Sequence, residues 1–444
     1  MRIWIKNPLA ILGDDAEGGL VVEDDVIVEC LPNGKSPAKA CNEIFDASET
    51  VVLPGLINTH HHFYQTLTRA YGPALDKELF DWLKTLYPIW AGLTPEHVEV
   101  ATRLALTELL LSGCTTAADH HYVFPRGLEN TIEIQASAAA DLGMRVTLTR
   151  GSMNLSVKDG GLPPESVVQD ADTILADSER LIDAFHDPSM GSMIQIALAP
   201  CSPFSVTREI MADTAALADR KSVGLHTHLA ETEDENDFCQ EMFGCRPLDY
   251  LEDVGWMTER TWLAHGIHFS DDEISRLGSA GVGIAHCPGS NMVLASGICR
   301  GRELEQAGAP VGIGVDGSAS EDASNLIQEA RMALQIQRLR YGAGQISHED
   351  VLRWATAGSA GCLGRADIGG ISVGKQADLA FFKLDEPRFS GAGDPLAALI
   401  LCGAHRADRV MVGGHWRVID GEIPGLDLTG LMEEHAAAAA SLIA

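Results

Sequence analysis

The chain has 444 residues, 45% of them hydrophobic and 21% charged, a balance that excludes a disordered or fibrous polymer and suits one large α/β barrel or two to three smaller units. Its formal net charge of −31 sets it against a nucleic-acid backbone or an anionic membrane, so a small, locally recognised ligand is the expected partner. The ten cysteines are scattered without a CxxC pair, which predicts reduced thiols and a cytoplasmic setting. The segment Met1 to Pro8 lacks the apolar core of a signal peptide, and no apolar run approaches the ~18 residues of a membrane span.

In chain order, Leu20 to Glu29 reads as strand, acidic turn and strand. The far end repeats this signature in Ala377 to Phe382 and in Arg409 to Val418, where Gly413-Gly414 supplies a hairpin turn. Two β-rich ends around a different middle predict a composite β-sandwich domain made of residues 1–53 and 370–430. Between them, eight candidate strands alternate with helical periodicity: Val51–His60, Thr115–Asp119, Arg145–Arg150, Ile194–Pro200, Val223–Ala230, Thr261–Ile267, Gly281–Cys287 and Val311–Gly317. Helix starts are marked by Thr94 with Pro95, and by the capping-box pairs Ser270/Glu273 and Ser347/Asp350. Eight such units predict a TIM-type (β/α)8 barrel over residues 54–369, with its chemistry at the C-terminal ends of the strands. Residues 431–444 form a helical tail, whose Ala436–Ala440 run is expected to fray.

Those strand ends carry an unusual set of side chains. The first ends in Asn58-Thr59-His60-His61-His62, where the period of two puts His60 and His62 on one face and turns His61 away. The fifth ends in His226-Thr227-His228-Leu229-Ala230-Glu231, the sixth in His265, the seventh in His286 and the eighth in Asp316. For His226 and His286 two readings stay open, a direct role and a buried, satisfied histidine. Three other patterns carry less. Gly312 to Gly317 matches GxGxxG but lies at the last strand of the array, and His97-Val98-Glu99 has no PCxxC after it and reads as helix surface. No HExxH or GxSxG occurs.

Together with the entry segment Leu53-Pro54-Gly55-Leu56-Ile57-Asn58-Thr59-His60, the run His228-Leu229-Ala230-Glu231-Thr232 and the late Gly374-Lys375-Gln376-Ala377-Asp378-Leu379, these ends resemble the amidohydrolase superfamily, in its aminohydrolase branch. The resemblance implies one metal ion per chain, Zn²⁺ with Fe²⁺ as the alternative, on His60, His62, His228 and Asp316. It makes Glu231, His265 and Asp316 the catalytic residues. No lysine stands at the end of strand four, Ala199-Pro200-Cys201, which argues against a bridged two-metal centre. The resemblance also implies a homo-oligomer.

For the substrate, Trp82 can stack on a flat heterocycle and Gln65 can read a lactam edge. Phe80 stands where nucleoside-type members carry a carboxylate, which favours a free base. The segments Thr59 to Arg69, Asp119-His120-His121-Tyr122 and Gly151-Ser152-Met153-Asn154 resemble the subgroup acting on 8-oxoguanine, with Gln65, Trp82 and Asn154 as candidate substrate contacts. Hydrolysis of the 2-amino group would then give urate and ammonia. Isoxanthopterin, guanine, isocytosine, S-adenosylhomocysteine and amino- or chlorotriazines are the alternatives. A scaffold without metal would lack a ligand, and none is missing.

Overall fold

The computed structural model describes residues 1–444. Eight parallel strands close into a barrel: β1 Leu56–Asn58, β2 Cys114–His121, β3 Arg145–Ser152, β4 Ile194–Pro200, β5 Gly224–Leu229, β6 Thr261–His265, β7 Gly283–His286 and β8 Val311–Ile313. Closure runs through β8 against β1 and through β3 against β4. Helices lie between successive strands, as the alternation of strand and helix periods predicts. Every residue of β2, β3, β6 and β7 is buried, the pattern of strands covered on both faces.

The termini build two further sheets. One joins Val26–Leu31, Gly19–Glu23, Arg2–Lys6 and Glu43–Asp46. The other mixes both ends of the chain, in the order His415–Val418, Arg409–Val412, Leu379–Lys383, Thr50–Pro54 and Ala10–Ile11. Ile3, Ile5, Leu20, Val22, Val52 and Phe381 fill the space between them. Gly413 and Gly414 take φ of 53° and 73°, as a tight hairpin turn requires. No helix is long and apolar enough to cross a membrane.

Three expectations need correction. The run Val51–His60 is not one strand. Thr50–Pro54 pairs with Leu379–Lys383 in the mixed sheet, and only Leu56–Asn58 enters the barrel. Gly55 separates them where a Cβ would fall 2.1 Å from Thr115 Oγ1. Second, His97 is buried, because it serves the capping box of its own helix and its Nε2 lies 2.8 Å from Ser441 Oγ. Third, the alanine run does not fray: Leu428–Ile443 is one continuous helix, with Ala438 and Ala439 packed against the apolar cluster beside the barrel mouth.

One buried ion pair ties the barrel to the mixed sheet. Arg145, which opens β3, points Nε and Nη2 at the Asp378 carboxylate, 3.0 and 3.2 Å away, and gives Nη1 to the carbonyls of Gly191 and Ser192. Asp378 Oδ1 also accepts from the Gly413 amide at 2.7 Å. Removing one partner strands the other charge in the interior. Asp378→Ala is expected to cost about 3–5 kcal/mol in denaturant unfolding; a loss under about 1 kcal/mol would show that the pair does not join the two parts.

Candidate active site

At the C-terminal mouth of the barrel, His60 and His62 follow β1, His228 lies on β5, and Asp316 follows β8. All four side chains are buried. Gly314 makes this possible on the β8 side, since a Cβ there would stand 2.8 Å from the His60 Cβ.

Each imidazole is held in one tautomer from behind. His62 Nδ1 donates to the His120 carbonyl and His228 Nδ1 to the Cys201 carbonyl, both at 2.6 Å. His226 Nδ1 donates to the Trp262 carbonyl at 2.8 Å, which leaves its Nε2 to accept from His60 Nδ1 at 2.8 Å. The three Nε2 atoms of His60, His62 and His228 are therefore bare lone pairs. Burial also pushes His60 and His228 well below the ordinary imidazole pKa, so both stay neutral.

Yet these atoms crowd together. His62 Nε2 stands 3.2 Å from His228 Nε2, and Asp316 Oδ1 lies 3.2 Å from His60 Nε2 and 3.3 Å from His62 Nε2. His60 Nε2 has no hydrogen-bond partner. Four electron-rich atoms at this spacing repel one another unless a cation sits among them. A tetrahedral zinc with bonds of about 2.0–2.1 Å would put its ligands roughly 3.3 Å apart, so the donor set fits Zn²⁺ in chemistry, and these three separations match its spacing.

Next to this cluster stand the two other groups expected from the sequence. Glu231 Oε2 lies 3.4 Å from His265 Nε2, and Asp316 Oδ2 lies 3.8 Å from the same nitrogen. Burial raises the Glu231 carboxyl above its ordinary value against the pull of His265. Burial alone would lower His265, but the charges of Glu231 and Asp316 overcome it and raise the ring's pKa. Asn291 fixes the ring from behind, with Oδ1 2.9 Å from His265 Nδ1. Ala230, His265 and Asp316 all take positive φ, at 53°, 70° and 64°. Such strain in non-glycine residues gathers where side chains must be aimed.

The cluster opens into a small cavity. His62, His228, Glu231, His265 and Asp316 form one wall, and Leu79, Trp82, Leu83, Phe204 and Leu294 give it apolar surfaces. Gln65 also lines it; neither its Oε1 nor its Nε2 has a partner, although the residue is 1% exposed. A buried amide left so costs roughly 1–3 kcal/mol until a ligand satisfies it. Trp82 is anchored across the mouth, its indole N–H donating to the Ala319 carbonyl at 3.0 Å.

Asn154, the third candidate substrate contact, does not line the cavity. Its Oδ1 accepts from the Thr207 amide at 2.7 Å and its Nδ2 lies 3.1 Å from Thr207 Oγ1, so its amide is used up at the start of the helix Arg208–Lys221.

Other groups at the site were not singled out as ligands or catalytic residues from the sequence. His120 stacks on His228 with ring centroids 4.7 Å apart, and its nitrogen lies within 4.8 Å of those of His60, His62 and His228. Its position at a strand end was the one signal available. Glu235, one helical turn after Glu231, accepts the amide hydrogens of Ala230 and Glu231 and is pushed by burial to about 7. His61 and His121 face away from the cluster, and His286 lies near Gln337 instead.

The family model for the amidohydrolase family matches residues 51–417. The chain belongs to the amidohydrolase family. It is 66% identical over 446 residues to an 8-oxoguanine deaminase of Pseudomonas aeruginosa, covering 100% of this chain and 99% of the relative. An isoxanthopterin deaminase from an unknown prokaryotic organism is 36% identical, with 87% and 85% covered. Among solved structures, atrazine chlorohydrolase TrzN from Arthrobacter aurescens TC1 complexed with zinc superposes with a TM-score of 0.93 at 31% identity, covering 98% of this chain and 100% of that one. Family membership together with the full-length identity to a deaminase makes this protein a hydrolase acting on C–N bonds.

His226 does not line the cavity and meets the cluster by accepting from His60 Nδ1. His226→Phe is expected to weaken Zn²⁺ binding by about 10- to 100-fold in competition with a chromophoric chelator, and wild-type affinity would show that the His60 tautomer is set elsewhere.

Proposed function

We propose that this protein is a zinc-dependent aminohydrolase whose substrate is a free, aminated heterocyclic base, with 8-oxoguanine the foremost candidate. The reaction adds water and releases ammonia to give urate. The observation that carries this reading is full-length 66% identity to an 8-oxoguanine deaminase, in a chain whose cavity offers flat apolar walls and one unsatisfied amide.

His60, His62, His228 and Asp316 would hold one Zn²⁺, and the ion would supply a water acidic enough to ionise near neutral pH. The remaining work falls to this chain's own side chains. Glu231, kept protonated longer by burial, gives its proton to the ring nitrogen beside the amino-bearing carbon and makes that carbon electrophilic. Asp316 Oδ2 takes the proton of the attacking water and passes it to the departing ammonia. His265, held by Asn291, hydrogen-bonds the attacking oxygen and steadies the charge that develops there. Gln65 reads an edge of the base with its free amide, and Trp82 packs against its face.

On this reading the enzyme works in the cytoplasm on a small diffusible base, as a homo-oligomer without nucleic-acid partners. Ten free thiols accord with a reducing compartment. Residues 54–369 form its catalytic barrel, residues 1–53 with 370–430 the composite β unit, and 431–444 the helical tail.

An ammonia-release screen across aminated purines, pterins, pyrimidines and triazines tests the assignment. 8-Oxoguanine should have the highest kcat/KM; a higher value for isoxanthopterin, or chloride release from a chlorotriazine, would replace it. Glu231→Gln is expected to keep its zinc by metal analysis while losing about 10²–10⁴ in kcat. Retention of full activity in that variant would remove Glu231 from the acid/base role.

A further inference from the structure

The helix Leu428–Ile443 lies outside the barrel, yet it reaches the segment that carries Gln65. That segment, the 3-10 helix Phe63–Thr68, follows directly on the metal-cluster histidines. Within it the Thr66 hydroxyl donates to the Phe63 carbonyl at 3.0 Å, which leaves the oxygen free to accept. The donor is His435 Nε2, 3.0 Å away and from the outer helix. Burial, with the nearby Arg69 charge, pushes His435 down to about 4, so the ring is neutral, and because the Thr66 hydroxyl gives its hydrogen to Phe63 the shared proton comes from Nε2.

The helix is also fixed along its length. Leu431 is buried, and Ser441 Oγ stands 2.8 Å from His97 Nε2 in the neighbouring helix Pro95–Leu111. Leu431, Ala438, Ala439 and Leu442 belong to the same apolar cluster as Trp82 and Leu83, which line the cavity. The other polar ties of the Gln65 segment differ in where they pull. Phe63 N–H donates to Asp119 at its start, and Trp90 donates to Thr68 at its end. His435 holds the residue immediately after Gln65.

We propose that the helix Leu428–Ile443 braces the substrate pocket from outside, with His435 acting through Thr66 to set the position of the Gln65 amide. His435 is thus a positioning residue that tunes affinity for the base without touching it. Gln65 has two unpaired polar atoms, so a small tilt of the 3-10 helix changes how well both meet a ligand. Two imidazoles of the metal cluster have anchors of their own on the barrel, the carbonyls of His120 on β2 and of Cys201 beyond β4. This inference rests on the reading of the cavity as the base-binding site.

The test is a double-mutant cycle between His435 and Gln65. His435→Phe keeps a ring in place and deletes the donor. It is expected to raise KM for 8-oxoguanine about tenfold with kcat within about twofold and zinc content unchanged. His435→Gln, which can still donate to Thr66, should recover most of the loss. In a Gln65→Ala background the His435→Phe change should add less than about twofold. Equal effects in both backgrounds, or a fall in kcat at constant KM, would overturn the proposal. If the wild-type protein releases ammonia from no base, the functional reading fails by itself. Amide exchange over residues 63–68 then still decides the brace: faster exchange in His435→Phe supports it, and unchanged exchange overturns it.

Discussion

Everything at the mouth of this barrel follows from one electrostatic constraint: three imidazoles and a carboxylate crowd together, with His62 Nε2 3.2 Å from His228 Nε2 and Asp316 Oδ1 3.2 and 3.3 Å from His60 and His62 Nε2. Left to themselves these atoms would rotate apart or take up protons. They do neither, because the carbonyls of His120 and Cys201, and His226 backed by the Trp262 carbonyl, occupy the opposite ring nitrogens. Those backing groups belong to β2, to the turn after β4, and to β5 and β6, so the geometry of the whole closed sheet is what concentrates negative potential at one point. A divalent cation converts that repulsion into cohesion, and the fold is thereby made to favour a metal.

The same concentration explains why the neighbouring backbone is strained. Ala230, His265 and Asp316 lie at or just beyond the ends of β5, β6 and β8 with positive φ, where the chain turns beside the cluster. Glu235 offsets part of this cost at one of the turns by accepting the amide hydrogens that the bend at Ala230 exposes. Its own carboxylate is buried beside that of Glu231, and the two charges disfavour each other. The Glu231 carboxyl is thus raised by burial first, with the His265 charge pulling it down and the Asp316 carboxylate adding to the rise, which suits a group proposed to carry a proton into a water-poor cavity.

How much of this could be read from the chain alone depends on the range of the interactions involved. His60 and His62 were legible as a same-face pair from the strand period, and His228 and Asp316 as residues at strand ends, while it was the family resemblance that grouped the four as one ligand set. Gln65 and Trp82 were legible by their chemistry, and both do line the cavity. Asn154 was not, since its amide is consumed by Thr207, fifty-three positions away. The break at Gly55 was hidden for a similar reason. Val51 to Asn58 is uniformly apolar apart from its last residue, and only the far strand Leu379–Lys383 decides that its first half belongs to another sheet. Glu235, Asn291 and His120 carry ordinary local patterns, and each acquires its meaning from a partner on a different element or turn.

The site therefore divides its tasks between two kinds of support. The barrel, whose strands are buried on both faces, holds the groups that handle protons and metal, where a displacement of a few tenths of an ångström changes the chemistry. The pocket roof is built from shorter pieces: a 3-10 helix, the helix Leu79–Trp90 and the outer helix Leu428–Ile443. Its contacts are apolar packing and single hydrogen bonds such as Trp82 to Ala319 and His435 to Thr66. Such contacts can be exchanged one at a time without disturbing the closed sheet below. Relatives named for 8-oxoguanine, isoxanthopterin and atrazine accord with this separation, because changing the roof alters which base fits while the imidazoles and carboxylates proposed to perform hydrolysis stay where the barrel puts them.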